Sequence, residues 1–353
     1  MISEIVGTIF KIVAALSLAA LTCGCELFFV PQESREDAGD GGFALDAGGL
    51  VDAVDGNDAP LVDADATADV TTPPPSCAGL PASCGPDGGR DCCGALPIDG
   101  GTFKRSFDGV TFTDGAHQAT VSAFTLDAFE TTVGRFRNFV NGYSGDLPTA
   151  GSGRNPNFMA DPGWDMTWNT NSMPGDKLAL EMGLTGCDGT GTPTWTGSNQ
   201  DAPINCVTWF EAFAFCIWDH GRLPTEAEWN FAAAGGDEQR VYPWSSPPSS
   251  TAIDNGHSVY TPSALAAVGS TSPAGDGKWG HADLAGNLIE WVIDWKQAAY
   301  LYPCNDCAEF TAGSERVNRG GGWDQGASSL YTSLRSSGDP HRRHADVGVR
   351  CAR

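Results

Sequence analysis

The sequence predicts a loop-rich α+β fold, stapled by disulfides and low in regular secondary structure. Three observations carry that expectation. Gly and Pro number 45 and 22 in 353 residues, which favours loops over a helical bundle. Twelve cysteines are more than idle thiols would explain in a reducing compartment, so export and oxidation are expected. Eleven Trp and 17 Phe supply the apolar mass of a real core, which a wholly disordered chain would not carry. The formal charge is -24, from 20 Lys+Arg against 44 Asp+Glu. That balance excludes nucleic acid or an anionic lipid surface as the main partner, because both require a basic face.

An apolar stretch from Ile5 to Leu21, broken by Lys11, ends on Thr22-Cys23-Gly24-Cys25. Its clean part is of signal-peptide length, short of the ~20 apolar residues that cross a bilayer. A cysteine directly after such a stretch, preceded by a small residue, resembles a bacterial lipobox. Cys25 is the expected lipidated residue and Cys23 the alternative, with ordinary cleavage to a secreted protein as the competing outcome. Residues 1–25 therefore read as a leader, and the mature chain as an extracytoplasmic, cell-envelope lipoprotein whose membrane contact is its N-terminal lipid. Residues 26–75 carry twelve acids and one base, Arg35, and end on Pro73-Pro74-Pro75, the composition of a disordered, self-repelling linker. Residues 76–95 hold Cys77, Cys84, Cys92 and Cys93. The adjacent pair suits no zinc knuckle, so two disulfides from Cys92 and Cys93 back to Cys77 and Cys84 are expected, in a pairing the sequence leaves open.

The remaining elements follow in order. Ile98-Asp99-Gly100-Gly101-Thr102-Phe103 reads as a turn into a strand, and Ala119 to Phe129 as a further strand region. Val133, Phe136, Phe139 and Val140 recur at three and four residues, an amphipathic helix stopped near Asn141-Gly142. Thr208-Trp209-Phe210-Glu211 is a capping box, in which the Thr hydroxyl and the Glu carboxylate each take an exposed backbone N–H. Its helix should bury Phe213, Cys216 and Ile217 and stop at Gly221. Thr225-Glu226-Ala227-Glu228 is a second box, with the helix ending at Gly235-Gly236. Glu226 and Glu228 resemble a catalytic carboxylate pair, but capping by Glu228 and the helix dipole at Glu226 favour structure.

Asp146 to Asp201 and Gly236 to Gly280 read as long loops, a length that usually carries function. Trp164, Trp168, Trp195, Trp244 and Trp279 punctuate them, either as pegs to the core or as anchors of a binding surface. Cys187 and Cys206 flank one loop and should pair. Cys304-Asn305-Asp306-Cys307 lacks a βαβ context and reads as a small loop-closing disulfide rather than a redox pair. His281 and His341-Arg342-Arg343-His344 are weak metal candidates, better read as solvated or isolated side chains.

Six segments stand in an order that resembles the formylglycine-generating enzyme (sulfatase-modifying factor) superfamily. They are Thr125–Val133 (TLDAFETTV), Asp201–Trp209 (DAPINCVTW), Arg222–Trp229 (RLPTEAEW), Ala285–Val292 (AGNLIEWV), Arg319–Trp323 (RGGGW) and Val347–Ala352 (VGVRCA). The resemblance covers residues 96–353. It implies one large domain, a variant of the C-type lectin fold, with a disulfide between Cys216 and Cys351. Members that oxidise a substrate cysteine to formylglycine hold copper(I) with two cysteines shortly after the RGGSW-type motif, soft ligands for a soft ion. Here Gln325 and Leu330 occupy those positions, and no cysteine lies between Cys307 and Cys351. Copper is therefore not expected. Iron-dependent sulfoxide synthases of the superfamily take their histidines from an additional N-terminal helical domain, where this chain has its acidic linker.

The resemblance further implies structural calcium, held by carbonyls and carboxylates. Gly286, Asn287, Leu288 and Glu290 match one group of ligands, and Asn255 and Gly256 part of a second. The competing reading is that Glu290 is a buried, capped carboxylate. From Cys77 onward ten cysteines make five bridges and leave no nucleophile. The function expected is an exported, lipid-anchored, non-oxidase member that binds an exported peptide or glycan or serves a structural role in the envelope. The alternative is a metal-dependent oxidase, of the formylglycine-generating or non-heme-iron type, acting on exported thiol substrates.

Overall fold

A computed structural model describes residues 73–80, 83–86, 88–145, 147–188 and 191–353. The expected leader, Cys23 and Cys25, and the acidic segment up to residue 72 lie outside the described residues. In chain order the strands are β1 (Ala95–Ile98), β2 (Gly101–Lys104), β3 (Gln118–Val121), β4 (Phe124–Asp127), β5 (Ile289–Trp295), β6 (Cys304–Asn305), β7 (Arg316–Arg319), β8 (Ser336–Gly338) and β9 (Val347–Gly348). The helices are α1 (Val133–Gly142), the single turn α2 (Trp168–Asn171), α3 (Lys177–Leu184), α4 (Trp209–Trp218) and α5 (Glu226–Ala234).

Three small sheets result. β1 pairs antiparallel with β4, and β3 lies between antiparallel β2 and parallel β6. The third sheet runs β8-β7-β5-β9, with β5 antiparallel to β7 and parallel to β9.

Local chemistry accounts for the helices. Thr132 caps α1 by accepting from Arg135 N, and Val133, Phe136, Phe139 and Val140 are all buried. Both capping boxes form in full, at Thr208/Glu211 on α4 and at Thr225/Glu228 on α5. α5 stops at Gly235 with φ of 67°, the left-handed cap that glycine adopts without a Cβ penalty. Two expectations change. Ile217 is only partly buried on α4. The Asp146–Asp201 stretch is not bare loop, because it contains α2 and α3. Asp176 starts α3 by accepting from Ala179 N at 2.8 Å.

β5 divides the core. Ile289, Trp291 and Ile293 pack with α1, α3 and α4, around Phe136, Phe139, Trp209, Phe213 and Phe215. Val292 faces the other way, toward α5 and β2–β4, around Phe103, Leu126, Trp229 and Phe231. This is the period-two alternation of a strand covered on both faces. Each fully buried Phe of this kind contributes roughly 1.5–3 kcal/mol of transfer free energy.

Five disulfides tie the loops: Cys187–Cys206, Cys216–Cys351, Cys304–Cys307, and the nested pair Cys77–Cys93 and Cys84–Cys92. Cys216 fastens α4 to the last residues of the chain. The cysteine-rich segment is docked by polar contacts. Ser76 N donates to Asp219 at 2.9 Å, and buried Arg135 bonds Ser76, Asp127 and Asp219 together.

Candidate functional site

The motif residues converge where Glu290 of β5 pairs with Arg319 of β7. The turn leading into β5 is fixed from all sides. Gly286 has φ of 86°, and a Cβ there would fall 2.5 Å from the Val259 carbonyl. Asn287 donates from Nδ2 to Glu130 at 2.6 Å, and Leu288 N donates to the other Glu130 oxygen at 2.8 Å. Asn287 Oδ1 accepts from Ala266 N at 3.1 Å. Glu290 is 1 % exposed. It accepts from Trp229 Nε1 at 2.7 Å and from Arg350, Nη2 at 2.8 Å and Nε at 3.0 Å. Arg350 also donates to the carbonyls of Asp127 and Ala282.

Glu290 is bonded to Arg350, and two further buried carboxylates, Glu130 and Asp283, feel the same positive charge. Burial pushes Glu130 well above the usual carboxylate range, and the charges of Asp283 and Glu290 add to it. Burial likewise pushes Asp283 up to about 6. Burial disfavours the Arg350 charge, but Glu290 beside it outweighs that and holds the guanidinium protonated.

The side-chain oxygens present do not fit the expected calcium group. Asn255 and Gly256 lie on an exposed loop, whose link to the turn is made further along, by Ser258 to Ala285 O and Asn287 N to Val259 O. The side-chain oxygens of Asn287 and Glu290 are engaged by Ala266 N, Arg350 and Trp229. A cation ligated there would have to displace a guanidinium.

The two positions of the missing copper cysteines are occupied by side chains with other roles. Gln325 is partly buried, hydrogen-bonds Asp346, and accepts from Thr261 N through its carbonyl at 2.9 Å. Leu330 is 0 % exposed, packed among Val241, Tyr242 and Ala285. Among the described residues every cysteine from Cys77 onward is bridged.

Glu226 and Glu228 are committed as well. Glu228 takes both Nη groups of Arg222 at 2.6 Å while closing the capping box. Glu226 bonds Arg319 at 2.6 Å and Arg335 at 2.7 Å. Burial works against the Glu226 charge, but these two cations outweigh it and hold the carboxyl below its ordinary range. Burial drives His281 down to about 3, so it stays neutral, with Nε2 3.2 Å from the Leu126 carbonyl. His341 packs against Phe210, tilted, with ring centroids 4.7 Å apart. Among the described residues, the one group of three metal-capable side chains is Cys84 and Cys92 with Asp201, and its two sulfurs form a disulfide.

Residues 84–353 match the family profile of the sulfatase-modifying factor enzyme 1-like domain. The chain belongs to the formylglycine-generating enzyme superfamily. It is 33% identical over 171 residues to the formylglycine-generating enzyme of Streptomyces coelicolor, covering 42% of this chain and 52% of that protein. The chain thus spans about half the length of that relative. It is 27% identical over 288 residues to the inactive C-alpha-formylglycine-generating enzyme 2 of Mus musculus, covering 72% of this chain and 84% of that one. Among solved structures it resembles Treponema denticola variable protein 1, with a TM-score of 0.51 and 19% identity over 73% of this chain and 94% of the other.

Within this superfamily fold, a cleft of about 360 Å³ opens beside the RGGGW motif, between Trp323 and the Thr192–Thr194 loop. Trp323 Nε1 itself is buried without a hydrogen-bond partner. Asn205 holds the far wall, accepting from Thr194 N at 2.7 Å and donating to the carbonyls of Thr192 and Ala345. The loop tryptophans are mostly pegs. Trp164 is 1 % and Trp195 8 % exposed. Trp168 packs edge-on to Trp164 and Trp209, Trp244 stacks on Tyr242, and Trp279 on Phe231.

The arginines were invisible to sequence reasoning. Arg222, Arg319 and Arg350 each stand inside a quoted motif, and that placement was the available signal.

Proposed function

We propose that this chain is an exported, lipid-anchored binding member of the superfamily, without copper oxidase chemistry, whose ligand is an exported peptide or glycan. One observation carries the reading: at the two copper positions stand an amide tied to Asp346 and a leucine sealed in an apolar cluster. Copper(I) needs thiolates, and neither side chain can become one. A relative described as inactive gives the superfamily a precedent for losing the reaction. The Trp323 cleft supports the binding half, since it sets an aromatic residue against polar loop backbone. The five disulfides agree with an oxidising location. Cys25→Ser, together with Cys23→Ser, should move the chain from the membrane fraction to the soluble one.

The decisive experiment incubates the purified chain with copper(I), oxygen and thiol-containing peptides, and follows peptide mass and bound metal. The expected result is unchanged peptide and no stoichiometric copper. Conversion of a cysteine side chain to an aldehyde, or one copper retained per chain, would overturn the proposal.

A further inference from the structure

The other end of the β5–β7 pair carries a second feature, remote from the motif turn. Trp295 of β5 pairs with Arg316 of β7. Ile293 and Trp295 point to one face of β5 and line a pocket of about 600 Å³, walled by Trp164, Trp168 and Phe310. That volume lies within the ~300–1,000 Å³ of small-molecule pockets. Arg316 also lines it, although the residue is 1 % exposed.

Its guanidinium is sandwiched between Trp209 and Trp295, 3.7 Å from each ring centroid. Nη1 donates to the Ile293 carbonyl at 2.6 Å, and Nε has no partner. No carboxylate touches it. Asp294, the acid whose charge it feels, points to the opposite face and accepts from Glu226 N and Glu309 N. Burial lowers the Arg316 pKa well below the usual value, so the fold holds this charge at a cost that an anion would relieve. Arg154 adds a second, exposed cation at the rim. Asp165, also on the rim, turns its carboxylate to Thr167 N at 2.8 Å.

We propose that this pocket binds an aromatic carboxylate, the ring against the indole walls and the carboxylate against the Arg316 guanidinium in the pocket wall. A guanidinium recognises a planar carboxylate through parallel N–H donors, and stacked rings hold that fork in place. An aromatic body matches walls built from Trp and Phe, which prefer offset or edge-on ring contacts. The carboxylate can belong to a free aryl acid or to the C-terminus of a peptide ending in an aromatic residue. The inference deepens the binding reading and rests on it. Failure of that reading would show as aldehyde formation, which the following test does not involve.

Isothermal titration of the whole chain with N-acetyltryptophan and N-acetyltryptophanamide gives the first arm. The acid should bind about tenfold or more tighter than the amide, the discrimination that a hydrogen bond to a charged group supplies. A short peptide ending in free Trp, compared with its C-terminal amide, gives the second arm. Preference for the free peptide assigns the source to a chain terminus, while preference confined to the small acid assigns it to an aryl acid. Arg316→Gln should abolish the acid preference in either case. Phe310→Ala, at a partly exposed position, should weaken acid and amide alike and keeps the test valid if the arginine variant does not fold. Equal affinity for acid and amide, binding of neither, or an intact preference in folded Arg316→Gln would each overturn the proposal.

Discussion

The two ends of the β5–β7 ribbon solve the same problem in opposite ways. Each places an arginine of β7 across from a residue of β5 and buries it: Arg319 opposite Glu290, Arg316 opposite Trp295. At the motif end the positive charges of Arg319 and Arg350 meet Glu226 and Glu290 within hydrogen-bonding distance. At the far end the charge meets aromatic rings and one backbone carbonyl. The first arrangement is closed in charge, neutralised by carboxylates inside the protein, although Arg319 Nε, like Arg316 Nε, has no partner. The second places a guanidinium without a carboxylate partner in the wall of a pocket. The motif residues that identify the superfamily therefore read here as scaffold, and the less conspicuous end is where the chain keeps an unpaired charge.

The largest predicted effect tests the closed end. Arg350→Met should cost about 3–5 kcal/mol, because it strands Glu290, with Asp283 and Glu130 nearby, as uncompensated buried acids. Arg316→Met should cost less, about 2 kcal/mol, the worth of desolvated cation–π stacking, offset by relief of the buried charge. Urea unfolding of both variants decides the matter. An Arg316 variant as damaging as the Arg350 variant would erase the distinction between the two ends.

A pH effect of a few kcal/mol sits between the ends. Burial first, then the charge of Glu226, pushes Asp294 up to about 7. The unfolded chain titrates this group near the ordinary 3.8, so between about pH 4 and 7 the folded state binds the proton and the unfolded state does not. Stability therefore falls as pH rises through that window, by an amount on the order of a few kcal/mol for a shift of this size. Asp283, pushed up to about 6, acts in the same direction over pH 4–6. His281 opposes both, since burial holds it down to about 3 and the unfolded chain takes up its proton first as pH drops below about 6.5. Asp294→Asn isolates one of these contributions. Its unfolding free energy should vary less between pH 4 and 7 than that of the parent, and an unchanged slope would refute the assignment.

What the sequence revealed follows from the range of the forces involved. The capping boxes at Thr208/Glu211 and Thr225/Glu228, the Val133–Val140 stripe and the Gly235 stop act within one helical turn, so spacing alone displays them. Asp176 carried the same kind of signal for α3, but the surrounding Gly, Ser and Asn masked it. Cys187 with Cys206 and Cys304 with Cys307 are near neighbours in sequence. Cys216 and Cys351 are 135 residues apart and came only through the resemblance. The charge network was illegible for the same reason. Glu290 and Arg350 are 60 residues apart. An arginine in a sequence reads as solvated surface until the fold shows which acid it meets. Arg316 is harder still, since its partners are Trp209 and Trp295 and no charge pattern announces them.

The smallest predicted effect is no effect, and it separates the closed end from a calcium cage. A bound ion stabilises the folded state by RT ln(1 + [L]/Kd), so saturating calcium followed by EDTA would shift the unfolding midpoint by several degrees if a tight site existed. Glu290 has no free oxygen for such an ion while Arg350 and Trp229 hold it, and a divalent cation beside that guanidinium would be repelled. Thermal unfolding in calcium and in EDTA should therefore coincide. Arg350→Met supplies the sharper control: with the guanidinium gone, Glu130, Asp283 and Glu290 stand without a cation. If calcium raises the midpoint of that variant but not of the parent, the arginine occupies the place an ion would take. If calcium raises both equally, the ion binds elsewhere and Arg350 does not stand in its place.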